Sequence, residues 1–247
     1  HVAALDALFV EPVLRLLPPV PQAVGEADPP VRCTQLPLRR AFGQHGRLVL
    51  VGPPGSGKST ALAYLALAAA QGTAADKEIA SDPAFSAVLE RVPFVISLTT
   101  SVCEGDAQPA STEETGRPEA PTDRLILAAL ETVGGERKAV GPLRRRLSAG
   151  QALVLVDGWD ELAAGWRQKA LAWLAQTMEA TPGALWVVAA GESGYGPLVE
   201  LGCVPVGLGV WDQDQAAALA ERWVRAAAGA SPHDPTDTDR VRVVRAE

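Results

Sequence analysis

The chain has 247 residues, enough for one sizeable α/β domain or a domain with appendages, and its 47% hydrophobic content is ample for a core. With 22 Lys+Arg against 29 Asp+Glu the net charge is −7, which excludes a global basic field for nucleic acid. Cys33, Cys103 and Cys203, like His1, His45 and His233, fall in no metal or redox spacing, so zinc is not expected and the thiols read as small hydrophobes in a reduced compartment.

Residues 2–17 read as an amphipathic helix broken near Pro12, and 18–37, with Pro-Pro twice, as an extended linker. The run Arg47-Leu48-Val49-Leu50-Val51 reads as the first strand of the core. It leads directly into Gly52-Pro53-Pro54-Gly55-Ser56-Gly57-Lys58-Ser59-Thr60, which fits G-x-x-x-x-G-K-[ST]. A helix over 58–71 follows, stopped at Gly72.

Strand, glycine-rich turn and helix in this order are what a nucleoside triphosphate site requires. Glycines let the backbone curl so that successive N–H groups face phosphate oxygens, and the positive end of the helix dipole adds to the attraction. Gly52 to Thr60 therefore form the candidate phosphate grip. Lys58 is placed to reach the outer phosphates, and the Ser59 hydroxyl to take one position on Mg²⁺.

Further along, 92–98 reads as a second buried strand, followed by a polar loop rich in Pro and Glu over 99–122. Helices are expected near 123–133 and 139–148. In the latter, Arg144-Arg145-Arg146 between Leu143 and Leu147 reads as the solvated face of a short helix rather than a nucleic-acid patch. Residues 152–156, apolar without alternation, have the mark of a strand covered on both faces. A helix over 166–178, strands over 185–190 and 204–208, and a helix over 212–228 complete the alternation. Asp212 with Gln215 resembles a capping box there. The tail from Ser231 is rich in Pro and Asp. Strands alternating with helices predict an α/β fold with a parallel sheet.

The second chemical motif is the run 153–162, LVLVDGWDEL. The strand delivers Asp157 to the carboxyl edge of the sheet, where open α/β sheets bind their ligands. Asp157 would hold Mg²⁺, directly or through its water shell. Asp160 or Glu161 would then orient and partly deprotonate a water in line with the γ-phosphoryl group. Trp159 reads as a packing residue or loop anchor rather than a base-stacking platform.

Together the two motifs resemble the NACHT family, a branch of the STAND class of P-loop NTPases. DGWDEL is similar to the family's Asp-Gly-x-Asp-Glu form of Walker B. Residues 143–155, the strand 185–190 with Gly194-Tyr195 after it, and the helix with Arg222-Trp223 are similar to the segments around it. Phe9-Val10-Glu11-Pro12 is similar to the lead-in of some bacterial members.

The resemblance, covering about residues 40–228, implies a three-layer sandwich with a five-stranded parallel sheet in the order 5-1-4-3-2. On it, the chain divides into an N-terminal helix and Pro-rich linker (1–37), a NACHT-like nucleotide-binding domain (38–210) and the start of a truncated helical extension (211–247). It also implies ATP and ADP as ligands, self-association in the ATP-bound form, and a regulated cytoplasmic ATPase switch, in bacteria often for antiviral defence. Flanking sensor and effector domains are expected outside this chain, which begins with His1 rather than Met and reads as a piece of something longer. No membrane segment or direct nucleic-acid contact is expected.

Two departures stand out. Where members carry a sensor arginine after the fourth strand, this chain reads Ala190-Gly191-Glu192-Ser193, which predicts slow hydrolysis or a Glu192 that turns away. After residue 228 the helical domain with its adenine-side proline and the winged-helix domain are not recognisable. Two other readings remain: a nucleotide-dependent scaffold without useful turnover, and a small-molecule kinase, which would want an arginine-rich lid.

Overall fold

In a computed structural model, which describes residues 5–17, 35–42, 45–72, 83–99, 120–209 and 211–227, the apolar runs become neighbouring strands of one sheet. Five of them are parallel: β3 (Arg47–Val51), β4 (Val92–Ser97), β5 (Ala152–Asp157), β6 (Leu185–Ala190) and β7 (Val204–Leu208). Along the sheet they stand β7-β3-β6-β5-β4, the expected 5-1-4-3-2 when numbered among themselves.

Alternate side chains of each strand feed opposite cores. Val49, Val51, Phe94, Ile96, Val154, Val156, Val188 and Ala190 enter one cluster, and Leu48, Leu50, Leu153, Leu155, Val187 and Val206 the other. Such burial on both faces is why these runs show no polar alternation.

Helices cover both faces. On the first lie α5 (Pro121–Thr132), α6 (Val140–Ser148), α7 (Ala164–Ala180) and α8 (Gly196–Glu200), contributing Leu125, Leu147, Leu174 and Leu198 among others. On the second lie α2 (Leu38–Ala41), α3 (Lys58–Gln71) and α4 (Pro83–Leu89), contributing Leu38, Leu65 and Phe85. The fold is thus a three-layer α/β sandwich.

The sheet departs from five parallel strands by having seven. Val13–Leu16 (β1) pairs antiparallel with β7, and Gln35–Pro37 (β2) pairs antiparallel with β1. The helix expected over 2–17 is accordingly only the short α1, Leu5–Leu8. Pro12 disfavours helical backbone at the residue before it. Beyond it the chain satisfies the hydrogen-bonding edge that β7 would otherwise leave open, which outweighs local helix preference.

The strap between α1 and β1 is tied down at several points. Phe9 stacks on Tyr64 of α3 with centroids 3.6 Å apart, and Arg222 and the Gln215 amide of α9 (Gln213–Ala227) donate to the carbonyls of Phe9 and Glu11. The capping box that opens α9 is formed in both directions. Gln215 N–H donates to Asp212 Oδ1 (2.7 Å), and Asp212 N–H to Gln215 Oε1 (3.2 Å).

Helices α2, α4 and α8, at four, seven and five residues, have no counterpart among the elements expected from sequence. They are too short to show periodicity in sequence. Most of the loop expected over 99–122, most of the linker expected over 18–37 and the tail from Ser231 lie outside the described residues.

Candidate functional site

The loop after β3 is set by three close constraints. Gly52 N–H donates to the Ala190 carbonyl at 3.2 Å, tying the start of the loop to the tip of β6. A turn follows, closed by Ser56 N–H to the Pro53 carbonyl at 3.2 Å. Gly55 (φ +78) and Gly57 (φ +92) then occupy left-handed backbone that side chains rarely adopt. A Cβ on Gly52 would lie 2.5 Å from Ser56 Oγ, so this glycine is required by space rather than by its dihedrals.

Gly57 caps α3 without a side-chain hydrogen bond, and the first bond of the helix runs from Ala61 N–H to the Gly57 carbonyl at 2.8 Å. The N–H groups of Lys58, Ser59 and Thr60 therefore precede the helical ladder. Pro53, Pro54, Gly55, Ser59 and Thr60 are exposed, while Ser56 Oγ is buried with no protein partner among the described residues. Open space beside Gly55 and Gly57, where an added Cβ would meet nothing within 4 Å, and uncapped helix amides together suit an anion with several acceptor oxygens.

Lys58 is 8% exposed, unusual for a lysine, and its ammonium lies across the loop. Nζ donates to the carbonyls of Gly52 (2.9 Å) and Pro53 (3.1 Å) and stands 3.5 Å from Asp160 Oδ2. The ammonium is thus buried with partners that a stronger acceptor can replace.

The acidic run gathers on the same edge, and its three carboxylates go different ways. Asp157, the last residue of β5, accepts from Gly158 N–H at 3.0 Å. Gly158 at φ +87 turns the chain, and Glu161 N–H closes that turn on the Gly158 carbonyl at 3.2 Å. Asp160 leans toward β6, its Cβ 3.3 Å from where a Cβ on Gly191 would sit, and so reaches Lys58. Glu161 lies instead beside Gly158, with Oε2 3.8 Å from the corresponding position on that glycine. The sheet thus brings the grip and all three acidic residues to one edge.

Trp159 between them is fully buried and donates from Nε1 to the Gly194 carbonyl at 3.0 Å, with the Arg167 guanidinium 5.9 Å from the ring centroid. It is an anchor for the turn after β6. Glu192, in that turn, is exposed. The Arg144–Arg146 cluster faces outward, with Arg144 paired to Asp123 at 2.7 Å and Arg146 donating to Gln151 Oε1 at 2.7 Å.

Two features at this edge were not read from sequence. Gly191 gives Asp160 room to approach. Ser97, at the tip of β4, is registered against Asp157, and its Oγ lies 2.9 Å from Thr99 Oγ1. The signal was available in the parallel sheet itself, because all carboxyl ends share one edge.

The family model described as NACHT domain matches residues 46–227, well over half of the chain. No curated protein matches it. The chain belongs to the NACHT family and carries a nucleotide-binding P-loop NTPase domain. Among the described residues, no helix is long and apolar enough to cross a membrane.

Proposed function

We propose that this NACHT domain binds ATP with Mg²⁺, hydrolyses it slowly and uses the bound nucleotide to control self-association and the output of flanking domains. The observation that carries the reading is the buried Lys58 ammonium, held by the Gly52 and Pro53 carbonyls of the glycine-rich loop and 3.5 Å from Asp160 Oδ2, beyond the tip of β5.

The chain's own groups divide the work. The N–H groups of Gly55 and of Gly57 to Thr60 donate to phosphate oxygens, and Lys58 exchanges the Gly52 and Pro53 carbonyls for the outer phosphates. The oxygen-only pair of Ser59 hydroxyl and Asp157 carboxylate suits Mg²⁺, which keeps most of its water and takes one or two carboxylates. When bound, that ion would neutralise charge on the β- and γ-phosphates.

Glu161 is the carboxylate that orients the attacking water and takes its proton as the γ-phosphorus–oxygen bond to ADP breaks. Asp160, engaged with Lys58, shares the task by holding the local charge balance. The exposed Glu192 brings a negative group to the turn where related chains carry a cation, which favours slow turnover. A cytoplasmic place, with its ATP pool, and a role in defence belong to the same reading.

That glutamate also motivates the second reading, a nucleotide-dependent scaffold without hydrolysis. Phosphate release from purified protein, alone and at high concentration, separates them. The switch reading expects turnover above background that is lost in Glu161→Gln with ATP still bound. Tight binding with no release would favour the scaffold.

A further inference from the structure

We propose that the Ser97–Thr99 hydroxyl pair is a positioning element for the water shell of a metal held at Asp157. The inference rests on the nucleotide-site reading above and assigns a role to side chains that neither motif contains. Register partners on adjacent parallel strands present their side chains to the same face, with the strands about 4.8 Å apart. Ser97 and Asp157 are such partners, at the last register position of both strands. The hydroxyl therefore stands beside the carboxylate, at the edge where the phosphate loop opens.

The geometry of the pair limits what it can do. Ser97 Oγ and Thr99 Oγ1, 2.9 Å apart, have two protons between them, and their mutual hydrogen bond uses one. Among the described residues no other hydrogen bond of either hydroxyl is recorded, so one O–H donor and several lone pairs are left for an outside partner. Thr99 lies beside Gly158, with Cγ2 3.5 Å from where a Cβ on that glycine would be, and β-branching stiffens its χ1. Glu161 Oε2 flanks the same glycine, 3.8 Å from that position. Thr99 and the Glu161 carboxylate thus both approach the same position beside Gly158, next to Asp157.

Mg²⁺ retains several waters, and groups beyond its direct ligands fix how those waters and ligands point. The hydroxyl pair is placed to do that, and it touches no reacting atom.

The test measures ATP binding by calorimetry in excess Mg²⁺ and again in EDTA, for wild type, Ser97→Ala, Thr99→Val and Thr99→Ser. Thr99→Val keeps the branched shape over Gly158 and removes only the hydroxyl. The proposal expects Ser97→Ala and Thr99→Val to reduce the affinity gained from Mg²⁺ by about tenfold or more. It expects unchanged affinity in EDTA, and near wild-type behaviour in Thr99→Ser.

A full Mg²⁺ gain in folded Ser97→Ala or Thr99→Val overturns the proposal, as does an equal loss in both buffers. Should Thr99→Val fail to fold, Ser97→Ala alone decides. Wild type that binds no ATP in either buffer refutes the underlying reading as well, an outcome distinct from a wild-type Mg²⁺ gain that the variants preserve.

Discussion

Gly52→Ala isolates the tightest contact in the phosphate loop. Gly52 does not have a positive φ, so alanine fits its backbone and the cost must come from contact. The added methyl would meet Ser56 Oγ at 2.5 Å, Ser56 Cβ at 3.2 Å and Leu208 Cβ at 3.5 Å, where ordinary contacts begin near 3.4 Å. Rotating the Ser56 side chain clears Oγ but leaves its Cβ too close, so the loop backbone has to shift.

Overpacking of this kind costs about 1–3 kcal/mol, which lowers Tm by roughly 2–4 °C per kcal/mol in a domain of this size. The shift also moves the amides of the grip, so ATP affinity falls by more than stability alone explains. Ser56→Gly removes both offending atoms. In the double variant, the penalty of Gly52→Ala is therefore largely relieved, giving a favourable coupling of about 1–2 kcal/mol. Urea unfolding and calorimetric ATP titration of the four proteins measure both quantities. Strict additivity of the two substitutions would refute the claim that Gly52 is required by Ser56.

Three further outcomes can be measured. Trp159→Phe leaves the Gly194 carbonyl without its donor and costs about 1–3 kcal/mol in chemical denaturation, yet ATP affinity holds, because the ring is buried as an anchor. A large loss of affinity with unchanged stability would instead make the ring a base platform. Burial pushes the Cys203 thiol up from 9.0 to about 11. Between those values the folded chain holds a proton that the unfolded chain has lost, so this thiol's contribution to stability falls as pH rises from about 9 to about 11, by on the order of 1–3 kcal/mol. Urea midpoints of wild type and Cys203→Ala should therefore diverge in slope over that window, and parallel slopes would contradict the shift. Sedimentation of the protein with ATP and with ADP tests the switch: the ATP form should associate, and identical profiles would count against it.

The central strands were legible because burial on both faces leaves a run of apolar residues that no polar position interrupts. Thus the strands 185–190 and 204–208 match their apolar runs residue for residue, and 152–157 to within one. The helix 58–71 was equally plain, bracketed by Gly57 and by Gly72 at φ +58. The N-terminal strand was not, because what makes Val13–Leu16 extended is the open edge of β7, nearly two hundred residues away in sequence. Local preference around Leu5–Leu8 pointed to a longer helix, and only tertiary pairing decides otherwise.

The site divides in the same way. Gly52 to Thr60 and Asp157 stand out because their spacing is itself the mechanism. Which way Asp160 and Glu161 lean is hidden in the sequence, since it depends on Gly191 and Gly158, one just past the end of another strand and one at φ +87. Ser97 and Thr99 gain interest only once the sheet sets β4 beside β5. Trp223 keeps the helical spacing of Leu219 and Ala227, yet it is 57% exposed on a helix with no buried residue among those described.

Isothermal calorimetry of the folded protein with ATP and Mg²⁺, beside Lys58→Ala, tests the nucleotide site most directly. Wild type should bind with measurable heat, and Lys58→Ala, folded but lacking the buried ammonium, should give none. Absence of heat in wild type, or undiminished ATP affinity in Lys58→Ala, would contradict the account.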